Sequence, residues 1–290
     1  MSKNFGPLLG RRELIVRTAG VLSLAGFGKG VVSTALAATS TQVVITPEET
    51  EGPYWVDEQL NRSDLATDPS DNSIQSGFPL VLGVTVSQYA NGKSTPLKGA
   101  YVDLWHCNAS GIYSDEAVEN TAGKKFLRGY QVTDAHGSVR FTSIYPGWYS
   151  GRTPHIHARV RLSSGGTTTT NFTTQFFFDE AATAKIYQLA PYSARPNRDT
   201  YNAVDNVYTS TDCLTAAEDG KETMLRMSAD ASHAVASFNI ILDLSSASTC
   251  IGGNGGGTPP GGGPPPGGPP SGPPSGPPPG GGGPLPPSAA

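Results

Sequence analysis

Two histidines stand two residues apart in a segment with the pattern of a β-strand, residues 154–162. Side chains alternate between the two faces of a strand, so His155, His157, Arg159 and Arg161 share one face. The other face is apolar and is expected to point into a core: Ile156, Ala158, Val160 and Leu162. Two imidazoles one pleat apart, with Cα atoms about 6.6 Å apart, can bind one metal ion. The pair alone fits two partly exposed strand histidines equally well.

Tyrosine and arginine residues extend this pair into a longer motif. The pattern W-x-x-N-x-x-G-x-Y ends at Tyr113, and P-G-x-Y-x-x-R-x-x-H-x-H contains Tyr149, Arg152, His155 and His157. Taken singly, each tyrosine is more readily explained as a packed ring with a hydrogen-bonded hydroxyl. Together the two patterns resemble the intradiol ring-cleavage dioxygenases of the catechol and protocatechuate types, and in particular an exported bacterial branch. The resemblance implies a non-haem Fe(III) bound by Tyr113, Tyr149, His155 and His157.

The residue types suit that metal. Ferric iron is a hard acid and phenolate oxygen is a hard anionic donor. A bound cation lowers the pKa of a tyrosine from its ordinary value of about 10, so that the tyrosine binds deprotonated. Two phenolates and a hydroxide balance three positive charges, which matters because uncompensated buried charge is costly.

The resemblance covers residues 46–243 and also implies a reaction. A small aromatic diol would react with O₂ and open between its two hydroxylated carbons to a muconate-type diacid. Tyr149 would leave the iron when substrate binds and act as a general base. Arg152 would stabilise negative charge on the substrate ring. Gln175 would help to orient the substrate, and Tyr54 matches a family segment that lies over the pocket.

Two other kinds of protein would use the same histidines. One is a non-catalytic exported β-sandwich that binds copper or zinc through His155 and His157. The other is a zinc hydrolase in which the pair holds an activated water. Neither gives a role to Tyr113 and Tyr149, since zinc favours Cys, His and carboxylate ligands.

The elements that must position these residues are mostly strands. Short runs rich in β-branched and aromatic residues predict strands at 79–86, 100–105, 138–142, 154–162, 174–178 and 236–242. One helix is predicted at 180–189. Many short strands separated by polar turns indicate an all-β fold, an antiparallel β-sandwich with long connecting loops and one or two short helices. The irregular stretches 54–76 and 191–222 are expected to wrap the sandwich and shape a site.

The two ends of the chain differ from this middle part. Residues 1–37 combine Arg11-Arg12, a mildly apolar run and Ala35-Leu36-Ala37, which predicts a twin-arginine signal peptide and export to the periplasm or the medium. An ordinary secretory signal is the alternative. Residues 38–78 are predicted to be an extended segment and 79–250 the catalytic domain. Residues 251–290 are mostly Gly and Pro and carry no charge, which predicts a disordered tail whose removal leaves turnover intact.

Charge and cysteine content narrow the partners. The net charge of the whole chain is −4, and the predicted signal segment carries more basic than acidic residues. Removal of that segment would leave a still more negative mature chain. Nucleic acid is therefore an unexpected partner, because binding to its phosphates needs a basic surface. No apolar run is long enough to predict a membrane span in the mature form, and a monomer or small homo-oligomer is expected. Of the three cysteines, Cys213 and Cys250 are the first choice for a disulfide, with the other pairings open. His106, beside Cys107, is interpreted as structural.

Overall fold

The computed structural model describes residues 43–164, 167–210 and 219–245. Within these ranges the chain folds into two β-sheets with a few short helices. The strands are, in chain order, β1 (Pro79–Ala90), β2 (Lys93–Pro96), β3 (Tyr101–Trp105), β4 (Arg128–Val132), β5 (Ser138–Ile144), β6 (His155–Ser164), β7 (Thr167–Phe177), β8 (Arg226–Ala229) and β9 (Ala234–Leu242). The predicted signal, the predicted tail, Cys213 and Cys250 lie outside the described residues.

The two sheets have different strand orders. One sheet runs β2-β1-β9-β8, with β5 also pairing to β1, and the other runs β4-β3-β6-β7. Strand β9 lies parallel to β1, whereas the remaining named strand pairs are antiparallel. At the β1–β2 hairpin both turn residues, Asn91 and Gly92, have positive φ, as a tight two-residue turn requires.

The core lies between the sheets because the longer strands, such as β1 and β5, turn a buried apolar face inward. Buried side chains come from β1, β3, β5, β6 and β9, among them Leu80, Leu82, Val84, Val102, Leu104, Phe141, Ile156, Ala158, Val160 and Ile240. The predicted β-sandwich is confirmed, and so is the predicted inward face of the histidine strand. Leu162 is only partly buried at the edge of this core.

Two α-helices accompany the sheets in the described residues. Helix α1 spans Glu180–Ile186, and Asp179 caps it by accepting a hydrogen bond from the Ala182 amide at 2.9 Å. The sequence prediction extended this helix to residue 189, but Tyr187 is its C-cap, and residues 187–189 continue as turns. Helix α2 spans Asp219–Glu222. No helix in the described ranges has the length and apolar character needed to cross a membrane.

The segment before β1 binds along both sheets through its backbone. The Thr46 amide donates to Ile241 of β9 at 2.9 Å, and the Glu49 amide donates to Thr173 of β7 at 2.9 Å. Further along, the Arg62 amide donates to Tyr130 of β4 at 3.0 Å. This segment, residues 43–78, therefore covers the outer face of the four-stranded sheet, where the histidines of β6 point.

Candidate metal centre and active site

Three neighbouring strands of the four-stranded sheet place three site residues in one row. In the register of β3, β6 and β7, His157 lies opposite Trp105 on one side and Gln175 on the other. Residues paired in this way point to the same face of the sheet. The His157 ring stacks on Trp105 with a centroid separation of 4.7 Å. All three side chains are buried.

His155 lies one pleat from His157 on the same face. Its Nδ1 is 2.7 Å from the Thr153 carbonyl oxygen, an acceptor, so Nδ1 carries the proton and Nε2 keeps a lone pair. The two Nε2 atoms of His155 and His157 are 3.2 Å apart. Metal–nitrogen bonds of about 2.0–2.1 Å can span that separation, so both nitrogens can bind one ion.

Tyr149 reaches the same point from the loop before β6. Its hydroxyl is 3.2 Å from His155 Nε2 and donates to that lone pair. The turn from Tyr149 to Arg152 is closed by an amide-to-carbonyl bond of 3.2 Å, with Gly151 at φ +83°. Only glycine adopts such a backbone readily. The turn brings Tyr149 and Arg152 to the same side of His155.

The loop that carries Tyr113 is fixed by its asparagine and glycine. Asn108 Oδ1 accepts from the amides of Ser110 at 2.9 Å and Ile112 at 3.1 Å. A Cβ on Gly111 would lie 2.1 Å from the Trp148 carbonyl oxygen, and Gly111 has φ +82°. The asparagine and glycine of the motif thus let this loop cross closely over the loop of Tyr149.

Tyr113 is buried at the centre of an aromatic cluster. Its hydroxyl has no hydrogen-bond partner at suitable geometry in the described part of the chain. Its ring centroid lies 5.8 Å from that of Tyr149 and 6.3 Å from that of His157. A buried hydroxyl without a hydrogen-bond partner costs free energy, because it has lost its bonds to water. A metal ion between the tyrosines and histidines would satisfy it.

Tyr54 covers this cluster from the segment 43–78. Its ring stacks on Tyr113 with a centroid separation of 4.1 Å, and it meets Tyr149 edge-on at 6.0 Å. Arg128, which is buried, donates to the Tyr54 carbonyl and to Ser114 Oγ, and so links this segment to the residue after Tyr113. The stacking places Tyr54 beside the candidate ligands. Its contact with substrate stays a prediction.

Arg152 borders the cluster beside His155. Its Nε donates to Asp205 at 2.9 Å and its Nη2 donates to Gln175 Oε1 at 2.6 Å. Its Nη1 lies 3.5 Å from His155 Nε2. Gln175 also donates to the Thr50 carbonyl at 2.8 Å, so both ends of its amide are engaged within the protein. Its substrate-orienting role stays a prediction.

The protonation of these groups is dominated by burial. Burial, followed by neighbouring charges, holds the pKa values of His155 and His157 well below the ordinary 6.5. Burial raises the pKa of Tyr113 well above 10 and that of Tyr149 to about 12, with Arg152 opposing both rises. Without a cation the cluster is therefore two neutral imidazoles and two phenols. A bound cation favours the phenolates instead.

The donor set discriminates between metals. Among the described residues no group of three or more His, Cys, Asp or Glu side chains could hold a metal ion. A metal at His155 and His157 would therefore depend on the two phenol oxygens, which are hard donors. This set fits ferric iron better than zinc or copper. The residues present thus fit the metal that the sequence resemblance implies.

The structure brings together Tyr113, Tyr149, Arg152, His155 and His157, although the roles assigned to them remain predictions. It places His106 elsewhere, with Nδ1 2.8 Å from the Cys107 carbonyl and Nε2 2.8 Å from Ser143 Oγ, in keeping with a structural role. Cys107 is a buried free thiol within the described chain.

Sequence reasoning missed three residues that touch the site, Trp105, Arg128 and Asp205. The first of these begins the W-x-x-N motif, and that position was the available signal.

Comparison with known proteins identifies the family of this chain. The sequence model of the dioxygenase family, Dioxygenase_C, matches residues 50–243. The chain belongs to the intradiol dioxygenase family. Among curated relatives, the catechol 1,2-dioxygenase of Candida albicans is 30% identical over 169 residues, which is 50% of this chain and 52% of that protein. Catechol 1,2-dioxygenase 1 of Acinetobacter lwoffii is 27% identical over 172 residues, again 50% of this chain and 52% of that protein.

A solved structure matches over nearly its whole length. The intradiol ring-cleavage dioxygenase from Tetranychus urticae superposes with a TM-score of 0.59 at 29% identity, covering 71% of this chain and 98% of that one. By contrast, the chain spans about half the length of the curated relatives it matches. Both comparisons support membership of the dioxygenase family, and the solved structure also shows the same fold.

Proposed function

We propose that the protein is a non-haem Fe(III) intradiol dioxygenase that opens catechol-type rings between the two hydroxylated carbons, with both atoms of O₂ entering the product. The observation that carries the proposal is the convergence of two tyrosines and two histidines on one buried point beside Arg152. Tyr113, Tyr149, His155 and His157 would hold the iron. When bound, ferric iron would supply a Lewis acid that binds the diol and withdraws electron density from its ring.

The two tyrosines differ in exposure, and this difference supports different roles for them. Tyr113 is 1% exposed, stacked under Tyr54, and surrounded by protein. Tyr149 is only partly buried and sits on a turn. Tyr149 is therefore the residue that can give way to an incoming diol. As a phenolate, its oxygen can take the proton of a substrate hydroxyl, which makes Tyr149 the general base.

Arg152 contributes a fixed positive charge. Burial alone would lower its pKa, but Tyr149 and Asp205 raise it, so the guanidinium stays charged. Two of its nitrogens are engaged by Asp205 and Gln175, and Nη1 is directed at the cluster. A preorganised cation at this place stabilises negative charge as it develops on the substrate ring.

The test is the product formed by the purified, iron-loaded protein with catechol under air. We expect oxygen uptake and a ring-opened diacid that absorbs in the ultraviolet. A yellow semialdehyde would instead show cleavage beside the diol, and its appearance would contradict the proposal. Tyr149→Phe should retain some iron through the other three ligands and show little turnover, while Tyr101→Phe, a ring of the same sheet outside the cluster, serves as the control.

The cellular setting is part of the same proposal. Export is supported by the sequence of residues 1–37, with a catechol derivative outside the cytoplasm as substrate and a monomer or small homo-oligomer as the active form. Expression of the full chain with Arg11 and Arg12 both changed to Lys should keep the protein inside the cell. Export of that variant at the wild-type level would argue for an ordinary secretory signal.

A further inference from the structure

Asp205 is a fully buried carboxylate whose hydrogen bonds divide between two tasks. Its Oδ1 accepts from the amides of Val207 at 2.9 Å and Tyr208 at 3.0 Å, which shapes its own loop. Its Oδ2 accepts from Arg152 Nε at 2.9 Å and from the Thr153 amide at 2.7 Å. Asp205 itself is 0% exposed. One carboxylate oxygen, Oδ2, is therefore bonded to Arg152 and to the residue that follows it.

Arg152 is held at two of its three nitrogens. Asp205 binds Nε, and Gln175 binds Nη2 at 2.6 Å. Gln175 is itself fixed, because it is 0% exposed and its amide nitrogen donates to the Thr50 carbonyl at 2.8 Å. A guanidinium is planar, so two bonds in its plane set the direction of the third nitrogen. Nη1 consequently stays 3.5 Å from His155 Nε2.

Removing the carboxylate of Asp205 would leave the guanidinium of Arg152 without its anion. A buried guanidinium with no anion is unfavourable, so it turns toward solvent or another acceptor. The side chain of Arg152 is 14% exposed, which leaves it a route outward. A shift of about 1 Å in a group that acts on the reacting atoms can cost as much as 100-fold in rate.

We propose that Asp205 is a positioning residue that locks Arg152 so that Nη1 faces the Tyr–His cluster. This inference rests on the proposed function, because it assigns Asp205 its part in the same reaction. Asp205 lies far from the Tyr–His motif in sequence, on the loop that follows the short turn Asn202–Val204. It does not touch the substrate, and its effect on turnover passes through Arg152.

A double-mutant cycle tests the proposal. The four proteins are wild type, Asp205→Asn, Arg152→Ala and the double variant, each loaded with iron. Arg152→Ala should lower kcat by about 100-fold. Asp205→Asn should lower it by about tenfold while retaining iron. In the Arg152→Ala background Asp205→Asn should have no further effect, because no guanidinium remains to be positioned.

Asp103→Asn is the matched control. Asp103 forms a similar bonded pair with Arg161, at 2.7 and 2.8 Å, on the same face of the sheet and away from the histidines. It should lower stability about as much as Asp205→Asn does and leave kcat near the wild-type value. Asp205→Glu keeps the charge with a longer side chain. It should give an intermediate kcat, and it replaces Asp205→Asn in the cycle if the asparagine variant does not fold.

Two outcomes would overturn the proposal. One is an equal reduction of kcat by Asp205→Asn in both backgrounds. The other is an unchanged kcat in Asp205→Asn when Arg152→Ala is slow. If the wild-type protein binds iron but opens no ring, the proposed function fails, and the same cycle is measured on anaerobic catechol affinity. Coupling of the two substitutions there would support Asp205 as the positioning residue, and additivity would refute it.

Discussion

At the scale of single residues, burial keeps the candidate ligands neutral until a cation arrives. The imidazoles of His155 and His157 have depressed pKa values, so their lone pairs are available at neutral pH. The phenols of Tyr113 and Tyr149 have raised pKa values and need the charge of a metal to ionise. Binding of a metal ion would therefore be coupled to loss of the phenol protons.

Removing either histidine should abolish iron retention. His155→Ala and His157→Ala each delete one of the two nitrogens, and the described residues contain no group of three or more His, Cys, Asp or Glu side chains that could hold the ion instead. We expect close to one iron per chain in the wild type and close to none in either variant, measured on the purified, loaded proteins. His136→Ala is the control, since His136 is exposed in the turn after Asp134. Stoichiometric iron in a histidine variant would remove that residue from the ligand set.

His106 should make stability depend on pH. Burial lowers its pKa from 6.5 to about 4. Between these values the unfolded chain binds a proton that the folded chain does not, so stability falls as pH falls from about 6.5 to about 4. One such group contributes a slope of at most about 1.4 kcal/mol per pH unit. Urea unfolding should show a smaller slope in His106→Gln, and equal slopes would contradict the assignment.

At the scale of elements, the extended segment 43–78 adds residues to the cluster whose histidines lie on the four-stranded sheet. It brings Tyr54 onto Tyr113 and Gly52 against His157, where a Cβ on Gly52 would lie 3.3 Å from His157 Cε1. Gly52 also has φ +71°. A side chain at this position is therefore unfavourable both for its backbone conformation and for its contact with His157. The close approach of this segment to a candidate ligand depends on glycine.

Gly52→Ala should damage the metal centre beyond its backbone strain. The left-handed conformation alone costs an alanine about 1–2 kcal/mol. Gly92→Ala is the matched control, because Gly92 has φ +75° and nothing lies within 4 Å of its Cβ position. Gly52→Ala should lose at least as much stability as Gly92→Ala in thermal unfolding, and it alone should lose iron affinity. Equal iron affinity in the two would show that the segment does not constrain His157.

The strands and the motif could be predicted from sequence, whereas the supporting contacts could not. The alternation in β6 gave the correct face for His155, because one face of that strand is buried in a core. Strands β2, β4 and β8 were missed, since they are short and mostly polar or half-exposed. Asp205 could not be found, because it lies in an irregular segment whose approach to Arg152 depends on the tertiary fold.

At the scale of the whole molecule, the sandwich and its connections each supply part of the candidate site. The two histidines lie on a central strand flanked by β3 and β7, whereas Tyr113, Tyr149 and Arg152 come from connections at one end of the sheet. The loop of Tyr149 is tied down by Asp199, which accepts from Ser150 Oγ at 2.6 Å. The tyrosines and histidines are therefore held in place before any metal binds, as the proposed site would require.

The visible absorption spectrum of the purified, iron-loaded protein tests most directly whether both tyrosines and both histidines share one ferric ion. Phenolate-to-iron charge transfer absorbs visible light, so the protein should be red-brown. Catechol added without oxygen should move the band to longer wavelength as the diol binds and Tyr149 leaves. A protein that holds iron at His155 and His157 but is colourless would contradict ligation of that iron by Tyr113 and Tyr149.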